Sequence, residues 1–267
     1  MPVMKVGPGR ALLYSGVVPW SPALPTTDGG LLPEHWYRSD GPLWQDAGIT
    51  PAVLDGAMVG RWEDITANAD HVNQAGVAPR PTLQNGAGDL LNGCPVVRFD
   101  GIEDYLMGAF TTGGALAQPF TVFAVAALDA AAVNDDVSRK IYDSDDAVNR
   151  MIAGQYGGSI PNRWYVYAGA VLGPTAAASN SNWNLWTSLY NGATSQLWHN
   201  GVSLAGPGNA GAHNADGLTI GGAFDVTAQW DGDITEIIIY DADLSTADDN
   251  QVGNYLATRY GLAYTDI

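Results

Sequence analysis

One acidic segment carries the residue types that bind cations. Residues 143–149 read DSDDAVN, which combines carboxylates with a carboxamide. Such oxygen groups are the ligands that Ca²⁺ accepts, although the glycine and glutamate spacing of an EF-hand is missing. We predict a calcium site at Asp143, Asp145 and Asp146. A solvated turn between two strands explains the same residues equally well.

A second acidic group consists of Asp100, Glu103 and Asp104, but Asp100 precedes Gly101, and this pair is typical of a turn. The 4 histidines show no metal-ligand spacing with each other or with the single cysteine, Cys94. No phosphate-binding loop, G-x-S-x-G segment or dinucleotide fingerprint is present. The sequence therefore gives no signal of a nucleotide site.

The aromatic residues of the second half suggest a different chemistry. Sugars stack on exposed tryptophan or tyrosine rings, and amide groups add directional hydrogen bonds. Trp183 follows the segment Asn180-Ser181-Asn182, so we predict a glycan site at Trp183, Asn180 and Asn182. Most tryptophans of a β-sandwich fill its core, and we predict that role for Trp186 and Trp198, which share the parity of inward-facing neighbours.

The elements that must position these groups are mainly short strands. Residues 119–128 (PFTVFAVAAL) are apolar on both faces and predict a central strand, and 36–40 and 59–64 predict two early ones. The stretch 67–92 is polar and predicts a long loop. The further strands are short and closely spaced, which is typical of a β-sandwich.

The chain closes with a strand at 230–241 and a helix at 244–262. We expect two strand faces: Ile234, Glu236, Ile238 and Tyr240 on one, Thr235, Ile237 and Ile239 on the other. The helix should start at Ser245, with Asp248 as a capping-box-like partner, and stop at Gly261.

Three stretches resemble laminin-G-like domains with the concanavalin-A-like fold. They are NGCPVVRFDG at 92–101 with DYL at 104–106, the stretch 183–201 that ends in an Asn-Gly turn, and the closing unit 218–262. The resemblance implies an all-β fold, a two-sheet antiparallel jelly-roll sandwich with a C-terminal helix. It divides the chain into an N-terminal extended arm, 1–33, and a jelly-roll domain, 34–267.

Glucanases of the laminarinase type, which share this fold, carry two glutamates and an aspartate as E-x-D-x-x-E. Asp231, Asp233 and Glu236 have the same spacing, with aspartate in the first position. In a regular strand Glu236 points away from Asp233, and only a bulge brings the two together. We therefore interpret Glu236 as a structural hydrogen-bonding group and predict no catalytic residue.

Acidic residues outnumber basic ones by 28 to 11, a net charge of −17. Such a surface repels phosphate backbones and anionic lipids, so we expect neither nucleic acid nor membrane as a partner. Cys94 lies beside an apolar run, and we expect it to be small and buried.

The N-terminus lacks the apolar segment of a secretory signal, although folds of this type mostly work outside cells. Our hypothesis is a non-enzymatic virion surface protein, a phage decoration or fibre protein. The arm 1–33 would bind other virion proteins, as a homo-oligomer or within a larger assembly, and the sandwich would adhere to a cell-surface glycan. The alternatives are a glycoside hydrolase of laminarinase-like type and a bacterial glycan-binding lectin.

Overall fold

A computed structural model describes residues 20–112, 114–133, 135–157, 163–175 and 180–267. The first 19 residues, and with them most of the predicted arm, lie outside this range. The chain forms two antiparallel sheets and a single described α-helix near its C-terminus, which confirms the predicted fold class. No helix in the described ranges is long and apolar enough to cross a membrane.

Seventeen strands precede the helix in the described residues. The first are β1 (His35–Arg38), β2 (Leu43–Trp44), β3 (Arg61–Trp62), β4 (Val72–Asn73), β5 (Thr82–Gln84) and β6 (Val96–Asp100). Next come β7 (Leu106–Ala109), β8 (Phe120–Leu128), β9 (Arg139–Asp143), β10 (Ile152–Tyr156), β11 (Arg163–Tyr167) and β12 (Val171–Leu172). The last are β13 (Asn184–Tyr190), β14 (Ser195–His199), β15 (Val202–Gly208), β16 (Gly217–Ile220) and β17 (Asp231–Tyr240), followed by α1 (Thr246–Tyr260). A 3₁₀ turn, Gly192–Thr194, precedes β14.

The first sheet has the order β15-β14-β13-β8-β17-β6-β5, and β1 also pairs with β17. One edge of β17 is thus shared, because Asp231 to Ile234 face β6 and Glu236 to Ile239 face β1. The second sheet has the order β12-β11-β10-β9-β16-β7-β4-β3-β2. The stretch predicted as one loop at 67–92 contains β4 and β5, which are too short to give a periodic signal.

Strand β8 lies at the centre of the first sheet, as predicted, and all of its residues are buried. Its two faces pack into two different apolar cores. Val122 and Ala124 point between the sheets, whereas Phe123 and Val125 contact a second core that the helix covers. Covering on both faces is what makes an uninterrupted apolar strand stable in water.

Strand β17 departs from the predicted alternation. Its register with β8 shifts between Ile234 and Glu236, which marks a β-bulge. Ile234 therefore lies in the core between the sheets together with Ile237 and Ile239, not on the face of Ile238. A bulge adds one residue to a strand and reverses the parity beyond it, and simple alternation cannot reveal this.

Helix α1 begins and ends as predicted. The Ser245 hydroxyl accepts the N–H of Asp248 at 3.2 Å, and Gly261 ends the helix in the left-handed conformation at φ 66°. The Asp248 carboxylate does not complete a capping box. It accepts the N–H groups of Asp28 at 2.9 Å and Gly29 at 2.7 Å. The described end of the predicted arm is therefore held on the helix of its own chain.

Candidate functional site

An open cleft of about 720 Å³ lies at one end of the first sheet. Three neighbouring strands form its floor, namely β6, β17 and the end of β8. Backbone pairing places Asp231 opposite Asp100 and Asp233 opposite Arg98. We call this region the acidic cleft. Its charged lining residues are Asp100, Asp104, Asp129, Asp231, Asp233, Arg80 and Arg98.

Asp104 is the most enclosed of these carboxyl groups, with 6% of its surface exposed. It follows a turn in which Asp100 Oδ1 accepts the N–H groups of Ile102 at 2.8 Å and Glu103 at 3.1 Å. Asp104 Oδ2 in turn accepts the Asp100 N–H at 3.0 Å. Burial, together with the nearby Asp100 charge, raises the pKa of Asp104 to about 7. Asp104 can therefore hold or release a proton near neutral pH.

Asp231 lies against the same turn. Burial raises its pKa, and Arg139, whose Nη2 lies 3.4 Å from Asp231 Oδ2, opposes the rise. Gly101 makes this approach possible, because its φ is 72° and an added Cβ would lie 2.5 Å from the Asp231 Cβ. The glycine thus packs the turn of Asp104 against the strand of Asp231.

The two arginines that line the cleft are already engaged. Arg98 forms a forked pair with Asp233, Nε to Oδ1 at 2.8 Å and Nη2 to Oδ2 at 3.0 Å, which raises the pKa of Arg98. Arg80 donates to backbone carbonyl groups of Gln45 at 2.6 Å and Gln74 at 3.0 Å. Both side chains therefore hold parts of the cleft wall together.

The predicted glycan-binding segment lies beside the acidic cleft. Trp183 is half-buried and lines it together with Ser181. Asn180 Oδ1 accepts the N–H of Asn182 at 2.9 Å and an amide N–H of Asn184 at 3.3 Å, so Asn180 shapes the turn that carries the ring. Asn182 is exposed. Among the three predicted residues, the ring of Trp183 is the part that faces the cleft.

The predicted calcium ligands do not form one cluster. Arg150 binds the buried Asp143, with Nε at 3.2 Å from Oδ1, whereas Asp146 Oδ1 accepts the N–H of Val148 at 2.7 Å. Burial and the neighbouring Asp216 raise the pKa of Asp145 to about 6. In the described ranges, no three histidine, cysteine, aspartate or glutamate residues are grouped so that they could hold a metal ion. Calcium binding at these residues stays a prediction without support from their arrangement.

Glu236 is separated from the cleft despite the bulge of β17. Its carboxyl group is fully buried beneath α1, where it accepts hydrogen bonds from Trp36 Nε1 at 2.6 Å and the Tyr260 hydroxyl at 2.6 Å. The laminarinase-like spacing therefore does not assemble a catalytic group here, and the predicted structural role of Glu236 is confirmed. Cys94 is half-buried beside the helix, not fully buried as expected.

Sequence comparison gives no relatives: no family model matches the chain, and no curated protein matches it. Several solved structures, however, are similar to the chain in fold. A Trypanosoma rangeli sialidase in complex with the inhibitor DANA is 16% identical with a TM-score of 0.54, covering 92% of this chain and 36% of the sialidase. Trypanosoma rangeli sialidase in another structure is 14% identical with a TM-score of 0.55, covering 89% and 34%. Domain 4 of a GH43 extracellular arabinanase from Geobacillus stearothermophilus, in complex with arabinotriose, is 14% identical with a TM-score of 0.47, covering 82% and 96%.

These likenesses show the fold, and the chain spans only about a third of the sialidase chains, 36% and 34%. They overturn the hypothesis of a non-enzymatic virion surface protein. That hypothesis connected the fold with adhesion on virions, and the same fold occurs in sialidases, which are carbohydrate-active enzymes. The interpretation as a non-enzyme was therefore wrong.

Proposed function

We propose that this chain is a carbohydrate-active domain of the glycoside hydrolase kind, which binds a glycan in the acidic cleft. Asp104 would donate a proton to the glycosidic oxygen, and Asp231 would be the second carboxylate. The observation that carries this proposal is the position of Asp104, a nearly buried carboxyl group with a pKa of about 7 in an open cleft.

Glycoside hydrolysis commonly uses two carboxyl groups with different tasks. One is protonated and serves as the acid, and the other is ionised and serves as base or nucleophile. Asp104 fits the first task because burial and the Asp100 charge favour its protonated form. Burial raises the pKa of Asp231, but the Arg139 guanidinium group opposes the rise, and this contact is why we assign Asp231 the second task.

Binding would rest on Trp183. A half-buried indole at the rim of a cleft offers a flat apolar face on which a pyranose ring can stack. The neighbouring carboxylates would accept hydrogen bonds from sugar hydroxyl groups, which are donors. The cleft is large enough for a sugar unit and open enough for a chain to continue beyond it.

Kinship with laminin-G-like domains is part of the same proposal. The segment 92–101 that carries the resemblance forms β6, and with 104–106 it supplies Asp100 and Asp104. The motif would thus shape the cleft as well as the sheet.

The test is turnover of a panel of β-glucans, arabinans and sialylated polysaccharides. We expect wild type to cleave at least one, and Asp104→Asn and Asp231→Asn each to lower kcat by about 100-fold or more. Trp183→Ala should mainly raise KM. The matched control is Asp28→Asn, because Asp28 is exposed beside the helix and does not line the cleft. No turnover of any substrate, or equal turnover by wild type and Asp104→Asn, would overturn the enzymatic proposal.

A further inference from the structure

The lining of the acidic cleft reaches across most of the first sheet. Trp183, just before β13, lies at one end of the cleft, and Thr82, in β5, lies towards the other. In the strand order β13-β8-β17-β6-β5, four spacings separate these two strands. Neighbouring strands lie about 4.8 Å apart, so the cleft is about 19 Å long in this direction. A single pyranose ring is much shorter, and the cleft can therefore hold several sugar units in a row.

The two carboxyl groups of the proposed function lie near the middle of this length. Strand β17, which carries Asp231, is the third of the five strands, and Asp104 follows the neighbouring β6. The lining therefore continues for about 10 Å on each side of Asp231. A site that removes a terminal sugar needs a closed end beside its reacting groups, whereas this cleft extends on both sides of them.

On the side of Trp183, small residues form the floor. Ala127, near the end of β8, and Ala130, just after that strand, line the cleft between the indole ring and β17. Each side chain is a single methyl group, so the floor stays low between the ring and Asp231. A glycan that stacks on Trp183 can therefore continue directly to the two carboxyl groups.

The other end of the cleft offers a second apolar surface. Met58 pairs with Thr82 beyond the edge of β5 and is 43% exposed, and Val77 is 57% exposed. The loop of Val77 is held in place by Arg80, whose Nη2 donates to the Ala75 carbonyl group at 2.9 Å. Apolar side chains that are exposed on a fixed loop give the C–H face of a sugar ring a surface to cover.

We propose that the acidic cleft binds a polysaccharide chain across the strands of the first sheet and cleaves linkages inside that chain. This inference rests on the proposed function and specifies its substrate class, which is polymeric glycans and not terminal sugars. The chain would stack on Trp183, cross Asp231 and cover Met58. Contacts far from the reacting bond then contribute to turnover, because binding energy from remote sugar units can be used at the reacting centre.

The step is hydrolysis of a linkage between two internal units. The C–O bond at the anomeric carbon breaks, and Asp104 gives its proton to the leaving oxygen. A water molecule supplies the hydroxyl group of the anomeric carbon, and its second proton restores the protonated Asp104. Both products are oligosaccharides or longer chains, and this outcome separates the proposed reaction from removal of single sugars.

The first measurement follows the products that the whole chain releases from linear β-glucan, linear arabinan and a sialylated polysaccharide. We expect the viscosity of a cleaved polymer to fall while few new reducing ends form, with oligosaccharides as the first products. A single sugar, such as sialic acid, as the first product would overturn the inference and leave the proposed glycoside hydrolase function standing. No turnover of any polysaccharide would remove the proposed function, and the inference with it.

The second measurement compares oligosaccharides of the cleaved polymer, from disaccharide to hexasaccharide. We expect kcat/KM to be about 100-fold higher for the hexasaccharide than for the disaccharide, about tenfold from each end of the cleft. Trp183→Ala and Met58→Ala should each lower the hexasaccharide value about tenfold and leave the disaccharide value nearly unchanged. Leu54→Ala is the matched control, because Leu54 is an apolar side chain of similar size that is exposed and does not line the cleft. Equal kcat/KM for all lengths, or equal losses for both lengths in the two variants, would overturn the inference.

Discussion

Replacing Glu236 by glutamine should change how the stability of this protein depends on pH. The carboxyl group is fully buried between the first sheet and α1, with hydrogen bonds from Trp36 and Tyr260 and with Arg259 Nε at 3.4 Å. Burial raises the pKa of Glu236 from 4.5 to about 7, although the hydrogen bonds and the guanidinium group oppose the rise.

The direction of the effect depends on whether the folded or the unfolded chain binds the Glu236 proton more tightly. The folded chain holds the Glu236 proton up to about pH 7, whereas the unfolded chain releases it near 4.5. The stabilisation from this group is therefore complete below the lower value and is lost as the pH rises towards the upper one. Between about pH 5 and pH 8 the loss is about 2.5 kcal/mol.

A glutamine side chain does not titrate. The free energy of unfolding of Glu236→Gln should therefore fall less than that of wild type over the same pH interval. The measurement is urea unfolding of both proteins at the two pH values. Taking the difference between proteins cancels groups common to both, such as Asp249, whose burial raises its pKa to about 7. Asp28→Asn is the control, since Asp28 is exposed. The reasoning is refuted if Glu236→Gln and wild type lose the same free energy of unfolding from low to high pH.

Three further outcomes are expected. Ser245→Ala should lower the free energy of unfolding by about 1 kcal/mol, because the Asp248 N–H loses its acceptor, and urea unfolding at one pH would show this. Gly101→Ala should cost about 3 kcal/mol, since the added Cβ meets Asp231 in a backbone conformation that favours glycine; a melting temperature equal to that of wild type would contradict this. Turnover should fall as the pH rises above about 7, because Asp104 loses the proton that it donates, and a kcat that stays level up to pH 9 would exclude Asp104 as the acid.

Local signals were enough to predict the central strand and the helix. Strand β8 is a continuous apolar run, and the ends of α1 depend on Ser245 and Gly261, which act within one turn. The bulge of β17 could not be predicted in this way. Its register is determined by β8 and β1, which lie far away in the sequence, and one extra residue moves Ile234 to the opposite face.

The sequence predicted single residues of the cleft but not the cleft itself. The sequence predicts stacking for Trp183, which does line the cleft, whereas it places Asp104 only in a second acidic group beside a turn. Its proton chemistry depends on burial and on the charge of Asp100, and residue type alone carries no information on burial. The acidic segment shows the converse: its residue types suit a cation, but Asp143 is bound by Arg150 and Asp146 accepts a turn N–H group.

Because β1 and β6 share one edge of β17, folding of the first sheet depends on when each strand is synthesised. Strand β1 is among the first described elements to leave the ribosome, and its pairing partner follows about 200 residues later. At a synthesis rate of about 5 to 20 residues per second, β1 waits on the order of 10 to 40 s without that partner. Contacts of such long range also slow folding, because the chain must close a large loop before they form. The first sheet can therefore be completed only when β1 meets β17.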